Sequence, residues 1–190
     1  MISSRDIAAG LTGAWRLARL DPQGMSCFDT TVTGFWRSFF AAVICAPAYA
    51  LVVALDYGQE TVLAGDARFI AVHGIAYVIS WTAFPLAMTW ATRLLDREPL
   101  YLRYIVAQNW AHVLELLLFL PALSLATTDV SGLAILPVLT GFAIIGYQWY
   151  IARTALKISS AQAGAVVGLN LLLDIVLTTA LQALLSASPV

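Results

Sequence analysis

YLRYIVAQNWAHVLELLLFLPALSLA, residues 101–126, is long and apolar enough to cross a bilayer, yet it carries Gln108, Asn109, His112 and Glu115 in its interior. The hydrocarbon core is about 30 Å thick, so a spanning helix needs roughly 20 mostly apolar residues. Four more runs meet that requirement, at residues 38–55, 69–92, 133–152 and 163–185. No alternating barrel pattern appears, and an unpaired backbone in lipid is prohibitive, so each run reads as a helix. The expected fold is all-α: a polytopic membrane protein with five transmembrane helices across residues 35–186, plus an N-terminal amphipathic interfacial helix within residues 1–34. Residues 187–190 are the expected exterior tail.

Composition agrees. Of 190 residues, 61% are hydrophobic and 11% charged, with a mean hydropathy of +0.83. A water-soluble domain could not bury that much apolar surface, so lipid must solvate it. A net charge of -1 gives no basis for a nucleic-acid partner. Cys27 and Cys45 lack metal-site spacing and are not expected to pair. Ala46-Pro47-Ala48 behind Arg37 imitates a signal-peptide cleavage site, but the apolar run continues to Leu55, so the first span is expected to be retained. Pro47, Pro85, Pro121 and Pro137 fall within spans, where each should kink its helix or end a turn.

The basic residues are asymmetric. Arg5, Arg16, Arg19, Arg37, Arg93, Arg97, Arg103, Arg153 and Lys157 flank one side of the spans, and only Arg68 flanks the other. The positive-inside rule then places the N-terminus in the cytoplasm and the C-terminus outside an inner (cytoplasmic) membrane. Tyr101, Tyr104, Tyr147, Trp149, Tyr150, Trp36 and Trp90 gather near the same boundary, as an aromatic belt would.

Residues 4–20 read as an amphipathic helix. Ile7, Leu11, Ala14, Trp15 and Ala18 share one face; Arg5, Thr12, Arg16 and Arg19 share the other. Ser3 or Ser4 can cap its start. Arg5, Trp15, Arg16 and Arg19 suit contact with an anionic lipid surface, and packing on the mouth of the bundle is the competing arrangement. Asp21-Pro22 ends the helix, and Asp29 or Thr31 starts the next.

The intramembrane polar residues are the candidate site. Gln108, His112 and Glu115 fall within about 60° of one another on a helix, with Asn109 one step around. Val113, Leu114, Leu116, Leu117 and Leu120 form the surface expected to face lipid. Asn170 and Asp174 lie one turn apart in the fifth span, and Asp174 matches Glu115 in depth. An ionised side chain there costs on the order of 3 kcal/mol or more, and no span holds a Lys or Arg to neutralise it. Protonation, or hydrogen bonds to Gln108, Asn109, Asn170 or Gln148, relieves that cost. Such bonds make helix-to-helix glue, each worth about 1 kcal/mol; a titrating proton site is the functional counterpart.

A metal set of His112, Glu115 and Asp174 would need more carboxylates and a second histidine. His73 lies toward the outer end of its own span, where a partnered interfacial role is expected, so neither metal nor cofactor is expected. Ser160, Gly164 and Gly168 give small-xxx-small spacing, expected to place the fifth span centrally in the bundle or in an oligomer. There is no glycine-rich phosphate loop, HExxH, CxxC or nucleophile elbow, which argues against an enzyme.

The stretch from Phe28 to Trp36, FDTTVTGFW, precedes the first span with an aspartate and a glycine. With five spans and an exterior C-terminus, this layout resembles the Yip-domain family of small membrane proteins. That family's Asp-Leu-Tyr-Gly-Pro string is absent here, so the resemblance implies a five-span fold and no site residues. Its eukaryotic members interact with Rab-type GTPases, so it also implies work through partners. The function favoured at this level is an accessory, scaffold or membrane-organising protein acting through lipid, a protein partner or a homo-oligomer. The alternative is a proton- or ion-handling transporter or channel subunit built on Glu115, Asp174 and His112.

Overall fold

The computed structural model describes residues 2–57, 66–126, 130 and 132–186. The expected tail at 187–190 and most of the arginine-poor connections lie outside them. Among the described residues there are seven α-helices and no strand. They are α1 (Ser4–Ala18), α2 (Val32–Ser38), α3 (Phe40–Tyr57), α4 (Asp66–Leu94), α5 (Tyr101–Ala126), α6 (Leu136–Leu156) and α7 (Ser160–Ser186). Five stretches are long and apolar enough to span a membrane: Val32–Ala54, Ala67–Leu94, Glu98–Ala126, Leu133–Leu156 and Ser160–Ser186. The chain is an all-α, multi-pass membrane protein.

The bounds of α5 match the sequence reading, whereas α4 and α7 run past the expected ends. Hydropathy stops at the edge of the oil, but backbone hydrogen bonding continues into the headgroups. The first span begins earlier than expected, as the short α2 leading into α3. Pro47, Pro85 and Pro121 lie inside continuous helices. Pro137 occupies the first turn of α6, where its missing N–H costs no helical bond.

Helix α5 is the hub. It packs against α1, α2, α3, α4 and α6, while α7 packs on α4 and α6. Every residue from Tyr104 to Ala111 is buried. This corrects the expected lipid-facing surface: Leu117 is exposed, but Val113 is buried and Leu114, Leu116 and Leu120 are half-buried. Hydropathy cannot tell a leucine against lipid from one against a neighbouring helix.

The N-terminal helix docks on this hub. Ser3 caps α1 in a reciprocal box with Asp6. The buried stripe of α1 is Gly10, Gly13, Ala14 and Leu17, while Trp15 is 57% exposed. Of the apolar face expected from Ile7, Leu11, Ala14, Trp15 and Ala18, Ala14 is buried and Ile7 and Leu11 pack on the core, whereas Trp15 and Ala18 are exposed. Close approach selects glycines, which a hydropathy pattern scores as neutral. A Cβ on Gly10 would collide with the Trp110 ring, and one on Gly13 would meet Phe28 at 2.7 Å. Tyr147 donates to the Ala14 carbonyl at 2.8 Å, and Tyr150 to that of Leu20 at 2.8 Å. The aromatic belt is thus divided. Trp36 and Trp90 face outward, but Tyr104 is in the core and Tyr147 and Tyr150 anchor α1. Of the expected lipid-surface residues, Arg5, Trp15 and Arg19 remain on the outer surface. Arg16 instead donates to Asp21 at 2.7 Å and Gln23 at 2.9 Å, tying down the turn after α1.

Asp21 caps the following 3-10 turn, Pro22–Cys27, and Thr31 caps α2. Asp29 accepts from both the backbone N–H and the hydroxyl of Thr31. A Cβ on Gly34 would strike the Asp29 carbonyl, so only glycine fits there. Cys27 and Cys45 are free thiols.

Two outcomes follow. Gly10→Val should undock α1, seen as faster proteolysis within residues 4–20 while the spans stay protected; unchanged protection would contradict the docking. The second concerns acid. The Arg16 side chain beside Asp21, together with the Gln23 N–H, holds the Asp21 carboxyl below its ordinary value of 3.8. The Ser3 backbone N–H, the Ser3 hydroxyl and Arg37 do the same for Asp6. A depressed folded pKa contributes stability above the ordinary value, lost as pH falls through the folded one. Pepsin should therefore cleave the α1 segment progressively faster below about pH 4, the ordinary carboxylate range, and Asp21→Asn should speed its cleavage by trypsin at neutral pH.

Candidate functional site in the membrane-spanning bundle

Polar side chains from four helices meet inside the bundle. The His112 ring Nδ1 and Glu115 Oε2, one turn apart on α5, lie 2.9 Å from each other. Gln148 of α6 donates to the same Glu115 oxygen at 3.1 Å. Asn170 of α7 in turn donates to Gln148 Oε1 at 3.2 Å. One hydrogen-bonded chain thus runs His112–Glu115–Gln148–Asn170 across α5, α6 and α7. Asn109 turns the other way and donates to the buried Ser38 hydroxyl at 2.8 Å, joining α5 to α2. The expectation of interhelical glue is met for Glu115, Asn109, Asn170 and Gln148.

It is not met everywhere. Both amide atoms of Gln108 are buried without a hydrogen-bond partner, and so is Glu115 Oε1. A buried polar group left unpaired costs about 1–3 kcal/mol, which hydrocarbon at the same position would avoid. Asp174 shares the depth of Glu115, yet it makes no hydrogen bond among the described residues and its side chain is exposed at the rim. Glu115 and Asp174, matched in depth by the sequence, line one cavity, but Gln148 and Asn170 form the bridge. An asparagine one turn closer to the surface reached α6 first.

That cavity has a volume of about 550 Å³ and is lined from all five spans. Gln108, His112, Glu115, Gln148, Asn170 and Asp174 supply its polar side. Trp81 stands edge-on to the His112 ring, with centroids 5.4 Å apart. Cys45, Tyr49, Tyr77 and Phe84 line it as well. Neither Lys nor Arg is among the lining residues. The sequence reading missed this aromatic lining, because an aromatic inside an apolar run carries no signal of which way it points.

His73 lies outside the cluster, as its depth implied, and its Nδ1 is 3.2 Å from the Tyr49 hydroxyl. Among the described residues no three His, Cys, Asp or Glu side chains come together as a metal set, so His112, Glu115 and Asp174 do not form the triad considered above. The small stripe of α7 is also corrected in part. Gly164 and Gly168 meet nothing within 4 Å of an added Cβ. The opposite face of α7, with Ala163, Val166, Val167 and Asn170, does the packing. The helix is therefore peripheral in the single chain. Comparison with protein-family profiles, curated proteins and solved structures finds no match for the chain.

Gln148 is the residue whose loss should be felt most. It donates to Glu115 and accepts from Asn170, so Gln148→Leu strands the buried Asn170 amide and leaves Glu115 Oε2 to His112 alone. Thermal unfolding in detergent should register a loss of about 1–3 kcal/mol. A variant as stable as the parent would mean that the chain of bonds is not formed.

Proposed function

We propose that this protein handles protons or cations within the cytoplasmic membrane, through a polar pocket centred on Glu115. The observation that carries the reading is the leftover polarity: Gln108, Glu115 Oε1 and Asp174 surround a cavity instead of one another. Pure glue would have satisfied these groups or replaced them with leucine. His112 can exchange a proton with Glu115 directly across their 2.9 Å contact. Intramembrane acids that face a cavity are the usual parts of proton relays. The distribution of arginines supports a cytoplasmic N-terminus and an outward C-terminus. Five spans without an inverted repeat fit a subunit better than a complete transporter.

A second reading keeps the accessory, scaffold or membrane-organising role that the Yip-domain layout implies. The open Gly164 and Gly168 face, in small-residue spacing with Ser160, favours it, since glycines with nothing against them invite another helix. Both readings hold together if the partner completes a transporter.

The test is pH-driven flux in proteoliposomes. Glu115→Gln should abolish it, with the protein still folded and monodisperse, while Glu115→Asp retains part of it. Flux unchanged in Glu115→Gln, or no Glu115-dependent flux in the parent, would return the pocket to a purely structural role.

A further inference from the structure

The pocket's lining also carries a statement about what it takes in, one that rests on the proposed role of Glu115. We infer that it is a binding site for an organic monocation with an apolar body, such as a quaternary ammonium, a protonated amine or a phosphonium. Charge is the first ground: Glu115 and Asp174 lie on the lining, and neither Lys nor Arg does. Aromatic walls are the second. Tyr49, Tyr77, Trp81 and Phe84 line the same cavity as the acids, and a desolvated cation is attracted to aromatic rings. Unmet polarity is the third, since Gln108 is 1% exposed and both its amide atoms are buried without a partner.

A hard inorganic cation fits worse. It requires about six to eight oxygen ligands, and much of this lining is hydrocarbon, including Leu116, Leu120 and Ile144. Depth argues against a lipid headgroup as the source. Glu115 lies about 21 Å along α5 from Tyr101 at 1.5 Å per residue, well below headgroup level. A free solute is therefore the occupant. The titratable groups that share the pocket with Glu115 are Cys45 and Tyr49 of α3, Tyr77 of α4, His112 of α5 and Asp174 of α7; α6 adds only Gln148 beside apolar side chains. Cation and proton compete for the same carboxylate, so binding tightens as pH rises.

The experiment is equilibrium dialysis of the purified full chain in detergent with tetraphenylphosphonium and the smaller benzyltrimethylammonium, against tetraphenylborate as the anion of matching shape. At least one cation should bind saturably and release a proton. Glu115→Gln should weaken it about a hundredfold, the scale of losing one partner of a buried charge pair, and Glu115→Asp should keep it, which guards against a folding defect. Equal binding of tetraphenylborate, equal affinity in Glu115→Gln, or no binding of either cation overturns the inference. Glu115-dependent flux without cation binding would defeat this inference alone, whereas loss of both would defeat the reading beneath it.

Discussion

A carboxyl group in hydrocarbon must find a partner or lose its charge, and Glu115 meets that constraint by recruiting two other helices. His112 and Gln148 both reach its Oε2, and Asn170 reaches Gln148. Lipid offers no hydrophobic drive to bring helices together, so such bonds and close packing must hold the bundle. The chain of bonds explains why α5 is central and why α6 and α7 sit where they do. It also explains the leftover atoms. Gln148 saturates one Glu115 oxygen, and the other is left facing an opening that the remaining helices frame but do not fill.

The second constraint acts near the arginine-rich end. There α1 lies against α5 and α6 through glycines rather than large apolar side chains, and two tyrosine hydroxyls fix its backbone. The short α2 is held by the Asn109–Ser38 bond. One half of α5 is thus wrapped by protein on all sides, while its other half shares in the cavity. The same helix serves as packing core at one level and as pocket wall at the next.

How much of this was legible in the sequence varies with the physics of each element. Spans read easily, because twenty apolar residues admit one interpretation in lipid. The residues of the polar cluster were also visible, since any Glu, His, Asn or Gln at that depth stands out against the hydrocarbon. Their pairing was not. Whether Glu115 meets Asp174 or Gln148 depends on which helix is adjacent to α5, a tertiary fact that depth counting along single helices does not contain. Ser38 as the partner of Asn109, and the aromatic wall of Tyr77 and Trp81, were hidden for the same reason. The facing of α1 was read only in part, right at Ala14 and wrong at Trp15, because glycine, the residue that permits contact, looks like no signal at all.

Solid-state NMR in lipid bilayers would examine the core of this account most directly, by measuring dipolar transfer between the Glu115 side-chain carboxyl carbon and the Gln148 side-chain nitrogen. The hydrogen bond of 3.1 Å between Gln148 Nε2 and Glu115 Oε2 requires a strong through-space contact. A Glu115 carboxyl that instead correlates with acyl-chain protons, with no Gln148 contact, would contradict it.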